Sequence, residues 1–374
     1  MKIIAFYVPQ YHVIPENDEW WGKGFTEWVN VKNGKPLFDG HYQPRIPLEK
    51  NYYDLSDPAT LQWQADLANK YGVYGFCFYH YWFGGKLLLE KPMEMLLEHK
   101  EISINYCACW ANEPWTNAWR AGEDVKVLMP QRYGNKDEWI KHFNYLLPFF
   151  KDDRYIKVDG KPILIIYRSE IIDPLEPMIE CLNEEAKKNG FEGLTFISQH
   201  PSSLQQSESR KALFSYNIMF EPINSYQYSS VAQSHATLKK IKRKISNVLE
   251  KHTKFNLNNI NPYGLQKLDY DETWELIIGA ENFDEKSLPG GFVDWDNTPR
   301  RGNRGKVYHG ASPEKFEHYM ELLINKAKNE YKKDMIFITA WNEWGEGSYL
   351  EPDEKYAFGY LEAINNALKK TGEI

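Results

Sequence analysis

The chain has 374 residues, 42% hydrophobic and 26% charged, with a formal net charge of −7. This length suits one large α/β barrel, and the acidic balance argues against a general polyanion-binding surface, so no nucleic-acid partner is expected. Aromatics make up 15% of the chain, with 13 Trp and 25 Tyr. Many stand beside Asn, Glu, His and Gly rather than inside apolar runs, which points to a lined cleft as well as a core.

Lys2 to Val8 reads as a first strand, ended by Pro9 and followed by Gln10, Tyr11 and His12. The irregular segment Ile14 to Tyr53 carries Trp20, Trp21, Phe25, Glu27 and Trp28, and a loop this long is usually functional. A helix over Asp57 to Tyr71 opens on Asp57 as N-cap with Pro58 at the first position. Val73 to Tyr79 is a second strand, followed by His80, Tyr81 and Trp82. A helix near Lys91 to His99 leads to a third strand, Ile102 to Cys109, ending in Trp110, Ala111, Asn112, Glu113, Pro114 and Trp115.

Lys136 to Phe150 is helical, Pro162 to Tyr167 is a fourth strand, and Asp173 to Asn189 is a helix stopped by Gly190. Leu194 to Gln199 makes a fifth strand ending near His200, and Phe214 to Phe220 a sixth, followed by Glu221. A longer connection at about 226–280 reads as an insertion and includes a basic helix, Leu238 to Leu249. A seventh strand near Gly291 to Trp295 runs into Asp294, Asp296, Arg300 and Arg301. A helix over Pro313 to Glu330, an eighth strand over Met335 to Ala340 and a helix over Lys355 to Lys370 close the chain.

Strands alternating with helices predict an α/β fold, a single (β/α)8 TIM-type barrel over 1–374 with long aromatic loops at its C-terminal face. An open doubly wound sheet gathers only the loops near its switch point, whereas polar clusters after six different strands need a ring to converge. No G-x-G-x-x-G or Walker motif follows a strand.

The stretch after the eighth strand, Trp341, Asn342, Glu343, Trp344, Gly345 and Glu346, sets two carboxylates three residues apart among tryptophans and glycines. General acid/base work on a sugar needs such a pair, and aromatic walls suit the apolar face of a pyranose. Two loop glutamates salt-bridged to arginines are the plainer alternative. Asn112-Glu113-Pro114 permits another pairing, with Glu113 as acid/base and a strand-eight glutamate as nucleophile; in a structural role Glu113 orients Arg120 or a loop. Tyr11, His12, Trp28, His80, Trp110, Asn112 and Trp115 are further candidates for lining sugar subsites, with Trp341, Asn342 and Trp344 beside the pair. Asp294-x-Asp296 looks like a metal-binding Asp-x-Asp, yet it continues into Asn-Thr-Pro-Arg-Arg, and a structural or sugar-hydroxyl role is preferred. Arg300 and Arg301 can pair with these aspartates, with Glu343 or with an anionic sugar.

Cys77, Cys107, Cys109 and Cys181 form no Cys-x-x-Cys pair, so buried thiols are expected rather than disulfides or a metal site. No metal or cofactor is implied. No apolar run nears the roughly 20 residues of a membrane span, and the opening apolar run is short for a signal peptide, so a cytoplasmic location is expected. The helix at 238–249, apolar at Leu238, Ile241, Ile245, Val248 and Leu249 with lysines elsewhere, packs on its domain or touches an anionic membrane peripherally.

FYVPQYH, GFTEW, YHYWF, WANEPW, WDNTPRR and WNEWGEGSYLEP, in this order, resemble the WbsX-like family of polysaccharide-biosynthesis proteins, itself similar to the endo-α-mannosidases of glycoside hydrolase family 99. The resemblance implies that Glu343 and Glu346 match a catalytic Glu-x-x-Glu. The second is then the acid that protonates the leaving oxygen. The first is a base on the sugar 2-hydroxyl, which attacks C1 to give a 1,2-anhydro intermediate with overall retention. Gly345 stands where those hydrolases tend to carry a histidine. The expected activity is a retaining glycoside hydrolase on a surface polysaccharide or its oligosaccharides. The alternatives are a glycosyltransferase in polysaccharide biosynthesis and a non-catalytic glycan-binding barrel.

Overall fold

In a strand covered on both faces every position is apolar, and the chain's near-continuous hydrophobic runs become such strands. They are β1 (Lys2–Tyr7), β2 (Gly75–Phe83), β3 (Asn105–Trp110), β4 (Lys161–Ile166), β5 (Thr195–Ser198), β6 (Tyr216–Ile218), β7 in two pieces (Ser287–Leu288 and Gly290–Phe292) and β8 (Met335–Thr339). The computed structural model describes residues 1–117, 125–199, 207–234 and 264–374; Arg120, His200 and the basic stretch 238–249 lie outside them.

All neighbours in this series pair in parallel, and β8 pairs with β1. The first piece of β7 pairs with β6 and the second with β8, so the ring closes around Pro289. Proline has no N–H for the ladder, which breaks the strand, while its carbonyl still accepts from Phe337 N at 3.1 Å. The nine consecutive strand segments thus form a nearly closed barrel of the (β/α)8 type.

The helices between them are α1 (Pro58–Tyr71), α2 (Lys91–Glu98), α3 (Lys136–Phe150), α4 (Leu175–Lys188), α5 (Glu208–Ala212), α6 (Tyr270–Ile278), α7 (Pro313–Lys326) and α8 (Gly359–Lys370). Local chemistry sets their ends. Asp57 accepts from Ala59 N at 2.9 Å to start α1, and Asn135 and Glu138 form a reciprocal capping box on α3. Among the described residues no helix is long and apolar enough to cross a membrane, and the four cysteines are buried and free.

Two strands differ from the sequence reading in ways that matter for the site. β2 runs on to Phe83 and turns through Gly84 and Gly85 into a short return strand, Lys86–Leu88, instead of ending at Tyr79. β7 begins at Ser287 rather than near Gly291. Gly290 is required inside the strand, because a Cβ there would lie 1.9 Å from the Met219 carbonyl oxygen.

Alternation then decides which side chains reach the ring interior. Phe6 of β1 stacks on Tyr79 at 5.5 Å and meets Phe337 and Phe220, filling the barrel. Tyr7, one residue on, points outward, where its hydroxyl donates to Gln64 of α1 at 2.7 Å and its ring packs on Phe76 and Phe78.

Candidate active site

The C-terminal ends of the strands open into a cavity of about 760 Å³. Its floor comes from the loop after β8. Asn342–Glu343 pairs antiparallel with Ser348–Tyr349 around a tight turn over Trp344–Glu346, closed by Gly347 in the left-handed region at φ 63°. The hairpin turns both Glu343 and Glu346 into the cavity.

One guanidinium organises this floor. Arg300 donates through Nε to Glu27 Oε1 at 2.7 Å and through Nη2 to Glu343 Oε1 at 3.0 Å, while Nη1 lies 3.1 Å from Glu346 Oε1. Three carboxylates thus share one cation, and full ionisation would leave the cluster strongly negative in a partly desolvated site. Burial, aided by the charges of Glu346 and Glu27 and opposed by Arg300, pushes the Glu343 carboxyl up to about 8. At neutral pH the cluster therefore holds a proton.

The same crowding explains Gly345. A Cβ at this position would sit 2.3 Å from Glu27 Oε1 and 2.8 Å from Arg300 Nη2, so the bare backbone lets the guanidinium and its three partners close up.

The second aspartate of the strand-seven motif braces the cluster. The Asp296 amide donates to the Glu346 carbonyl at 2.7 Å, and its carboxylate accepts from Thr298 N at 3.0 Å and Thr298 Oγ1 at 2.6 Å. These bonds fix the turn Thr298–Arg301 that presents Arg300. The other Asp296 oxygen accepts from Gln43 Nε2 at 2.6 Å and from His41 Nε2 at 2.8 Å; His41 Nδ1 accepts from Leu37 N, which leaves the ring proton on Nε2. Asp294 accepts from buried Arg45 at 2.8 Å instead, so the two carboxylates serve different partners.

Of the residues singled out in the sequence, Glu113, Trp115, Arg300, Arg301, Glu343 and Glu346 line the cavity. Glu113 forms an ion pair with Arg168 and stays 40% exposed. Asn112 lies behind it, its amide spanning the Arg168 backbone with 2.8 Å bonds to both N and O.

The remaining aromatic and amide residues form a second layer. Tyr11 is fully buried against Trp28 at 4.5 Å and accepts from Trp344 N, and Trp28 donates to the Tyr53 carbonyl at 2.8 Å. Asn342 ties Val8 N and O with bonds of 2.7 and 3.0 Å, Trp341 packs on Phe76, and Trp344 stacks on Tyr349 at 3.7 Å. His80 faces α3, 2.9 Å from His142 Nε2, with burial pushing its imidazole down to about 3. Trp110 donates to the Trp82 carbonyl at 3.0 Å. His12 is buried, and burial lowers its imidazole to about 4.

The cavity wall uses other residues that the sequence reading did not choose, notably Glu27, Tyr79, Tyr81, Tyr167, Arg304 and Lys306. Tyr79 and Tyr81 flank His80 in β2, so the period-two alternation that sends His80 outward sends them inward. Glu27 stood inside the GFTEW motif but has no visible partner in sequence. Arg300 lies 273 positions away.

A TIM-type barrel with a carboxylate pair at a strand end and aromatic cavity walls is an arrangement suited to carbohydrate chemistry. The chain belongs to the WbsX family: the model described as glycosyltransferase WbsX matches residues 3–364. It is 32% identical over 376 aligned residues to the uncharacterized protein WxcX of Xanthomonas campestris pv. campestris, and it spans half the length of that relative. Among solved structures it is similar to the GH99 endo-alpha-mannosidase of Bacteroides thetaiotaomicron, with a TM-score of 0.56 and 16% identity over 99% of this chain and 97% of the other. A glycoside hydrolase-like protein matches with a TM-score of 0.56 and 12% identity over 98% and 93%. At these identities the likeness is one of fold.

Proposed function

We propose that the chain acts on glycosidic bonds of a surface polysaccharide or its oligosaccharides as a retaining glycoside hydrolase. The observation that carries this reading is the Arg300-centred cluster, in which Glu343 and Glu346 face one cavity and share one guanidinium. Cleavage requires one carboxyl to give a proton and the other to take one, and two carboxyls facing one cavity can divide those roles.

In the reaction, Glu346 gives its proton to the leaving oxygen as the C1–O bond breaks. Glu343, ionised in the productive complex, takes the proton of the 2-hydroxyl as O2 bonds to C1. Water then opens the 1,2-anhydro ring at C1: Glu346 takes the water's proton as Glu343 returns its own to O2, which resets both carboxyls and restores the starting configuration. The geometry demands a 2-hydroxyl trans to the leaving group.

A transferase reading draws on the family description, since the same cleft can pass a glycosyl group to an acceptor hydroxyl. Incubating the protein with an oligosaccharide panel, with and without nucleotide sugars and Mg²⁺, separates the two. Release of reducing sugar without a donor is expected; strict dependence on a nucleotide sugar would replace the hydrolase with the transferase.

A further inference from the structure

The arginine turn that supplies Arg300 does not end there. Asn297 pins its return on both sides, accepting from Lys306 N at 2.8 Å and donating to Lys306 O at 3.2 Å. Gly305 fits in the fold of the turn, where a Cβ would meet Thr298 Cγ2 at 2.9 Å and Asn297 Oδ1 at 3.0 Å. The turn is therefore built, and it delivers Arg301, Arg304 and Lys306 to the cavity wall beside Arg300.

These three cations differ from Arg300 in one respect. Arg300 is matched by three carboxylates, whereas among the described residues Arg301, Arg304 and Lys306 have no ion-pair partner. Glu113, a further cavity carboxylate, is taken by Arg168. Arg301 and Arg304 stand exposed at the mouth, while Lys306 is set deeper with its ammonium 3.3 Å from the centre of the Tyr226 ring. Burial and the nearby Arg301 charge, opposed by Glu346, lower the Lys306 amine to about 8. A neutral glycan supplies hydroxyls to such a wall but no compensating charge. Guanidinium groups select carboxylate and phosphate oxygens by geometry and charge together.

We infer that the substrate is an anionic saccharide, bearing a uronate carboxylate or a phosphate ester that seats on Arg301, Arg304 and Lys306 while the bond to be cleaved faces Glu343 and Glu346. The inference rests on the proposed glycosidic reading of the same cavity and adds the substrate's charge. The acidic pair and the cationic wall occupy one cavity, so the charged group belongs to the sugar at the cleaved bond or to its neighbour.

The test uses the full chain carrying Glu343→Gln, which removes the proposed base and slows turnover whatever the leaving group during titration calorimetry. Two matched pairs serve as probes: a glucuronate-containing trisaccharide with its carboxyl-reduced counterpart, and a glycosyl 1-phosphate with the corresponding methyl glycoside. The anionic member of at least one pair is expected to bind about tenfold more tightly than its neutral match, and raising the salt from about 50 to about 500 mM should shrink that factor. Which pair shows the preference separates carboxylate from phosphate. Adding Arg301→Gln and Arg304→Gln should abolish most of the preference, and Lys306→Met, which keeps the stem but not the charge, should reduce it. Melting temperatures check that each variant folds.

Equal binding within each pair, no binding by either anionic probe, or a preference untouched by the arginine variants overturns the inference. Failure of the hydrolase reading looks different: wild-type protein would then bind the anionic member preferentially yet release no sugar without a donor.

Discussion

Two glutamates eight residues apart on the same loop, the largely buried Glu343 and the fully buried Glu351, meet burial in opposite ways. Glu351 accepts from Tyr53 Oη at 2.8 Å, Gln64 Nε2 at 2.6 Å and Trp344 Nε1 at 2.6 Å, with no ion-pair partner among the described residues, and is not among the residues that line the cavity. Burial raises its carboxyl to about 7 against the pull of these donors. Glu343 shares one guanidinium with two other carboxylates and keeps an open face toward the cavity. A carboxyl saturated by neutral donors joins α1, the loop that precedes it and the β8 loop. A carboxyl left with a free face and a shared charge is equipped to move a proton.

The strongest way to break this contrast is kinetic. Glu346→Gln should slow cleavage of substrates with poor leaving groups by roughly 10²- to 10⁴-fold and spare activated aryl glycosides, whereas Glu343→Gln should be slow on both. If Glu113→Gln instead gives the leaving-group-dependent pattern and Glu346→Gln stays within a few-fold of wild type, the Asn-Glu-Pro pairing replaces the Glu-x-x-Glu pair.

Removing the shared cation comes next. Arg300→Gln leaves three carboxylates facing one another, and breaking a largely buried ion pair costs about 3–5 kcal/mol, read as a fall in melting temperature. In the wild type, activity that needs Glu343 ionised as the base should rise as pH approaches about 8, to which burial moves its carboxyl. Because Arg300 holds the Glu343 carboxyl down, that limb should move to higher pH in Arg300→Gln; a fixed limb would mean that another group controls it.

The structural carboxyl should register in stability alone. Its folded pKa lies above the unfolded value, so Glu351 contributes stability below about pH 4 that fades as pH rises through about 7. The stability of the wild type relative to Glu351→Gln should therefore decline between pH 5 and pH 8, by about 3 kcal/mol, in chemical denaturation. A gap that widens with pH would contradict the account.

Smaller effects sharpen the boundary between the layers. Gly345→Ala should cost about 1–3 kcal/mol through overpacking and lower the rate by displacing Arg300. At the rim, Trp115→Ala should raise KM several-fold with little change in melting temperature, while Trp344→Phe, which removes a donor to Glu351, should do the reverse. A rise in KM for Trp344→Phe would move that residue into the binding surface.

The sequence by itself determined the alternation of strands and helices, several of their caps, and the position of Glu343 and Glu346 after the last strand. Those features are local: a helix cap needs three or four consecutive residues, and a buried strand followed by a carboxylate loop is visible in one stretch. It also contained the reason the aromatic residues resisted assignment. Strands covered on both faces are apolar throughout, so the two-residue period has no polar phase marker. Tyr79 and Tyr81 inside and His80 outside became distinguishable only once β1, β3 and α3 were packed around them. Tertiary structure alone decided the charge pattern of the cavity. Arg300 meets Glu27 across 273 positions and Glu343 across 43, Asp294 and Asp296 turn to different partners, and Arg301, Arg304 and Lys306 have no ion-pair partner among the described residues, because ring closure brings strand ends together irrespective of their order in the chain.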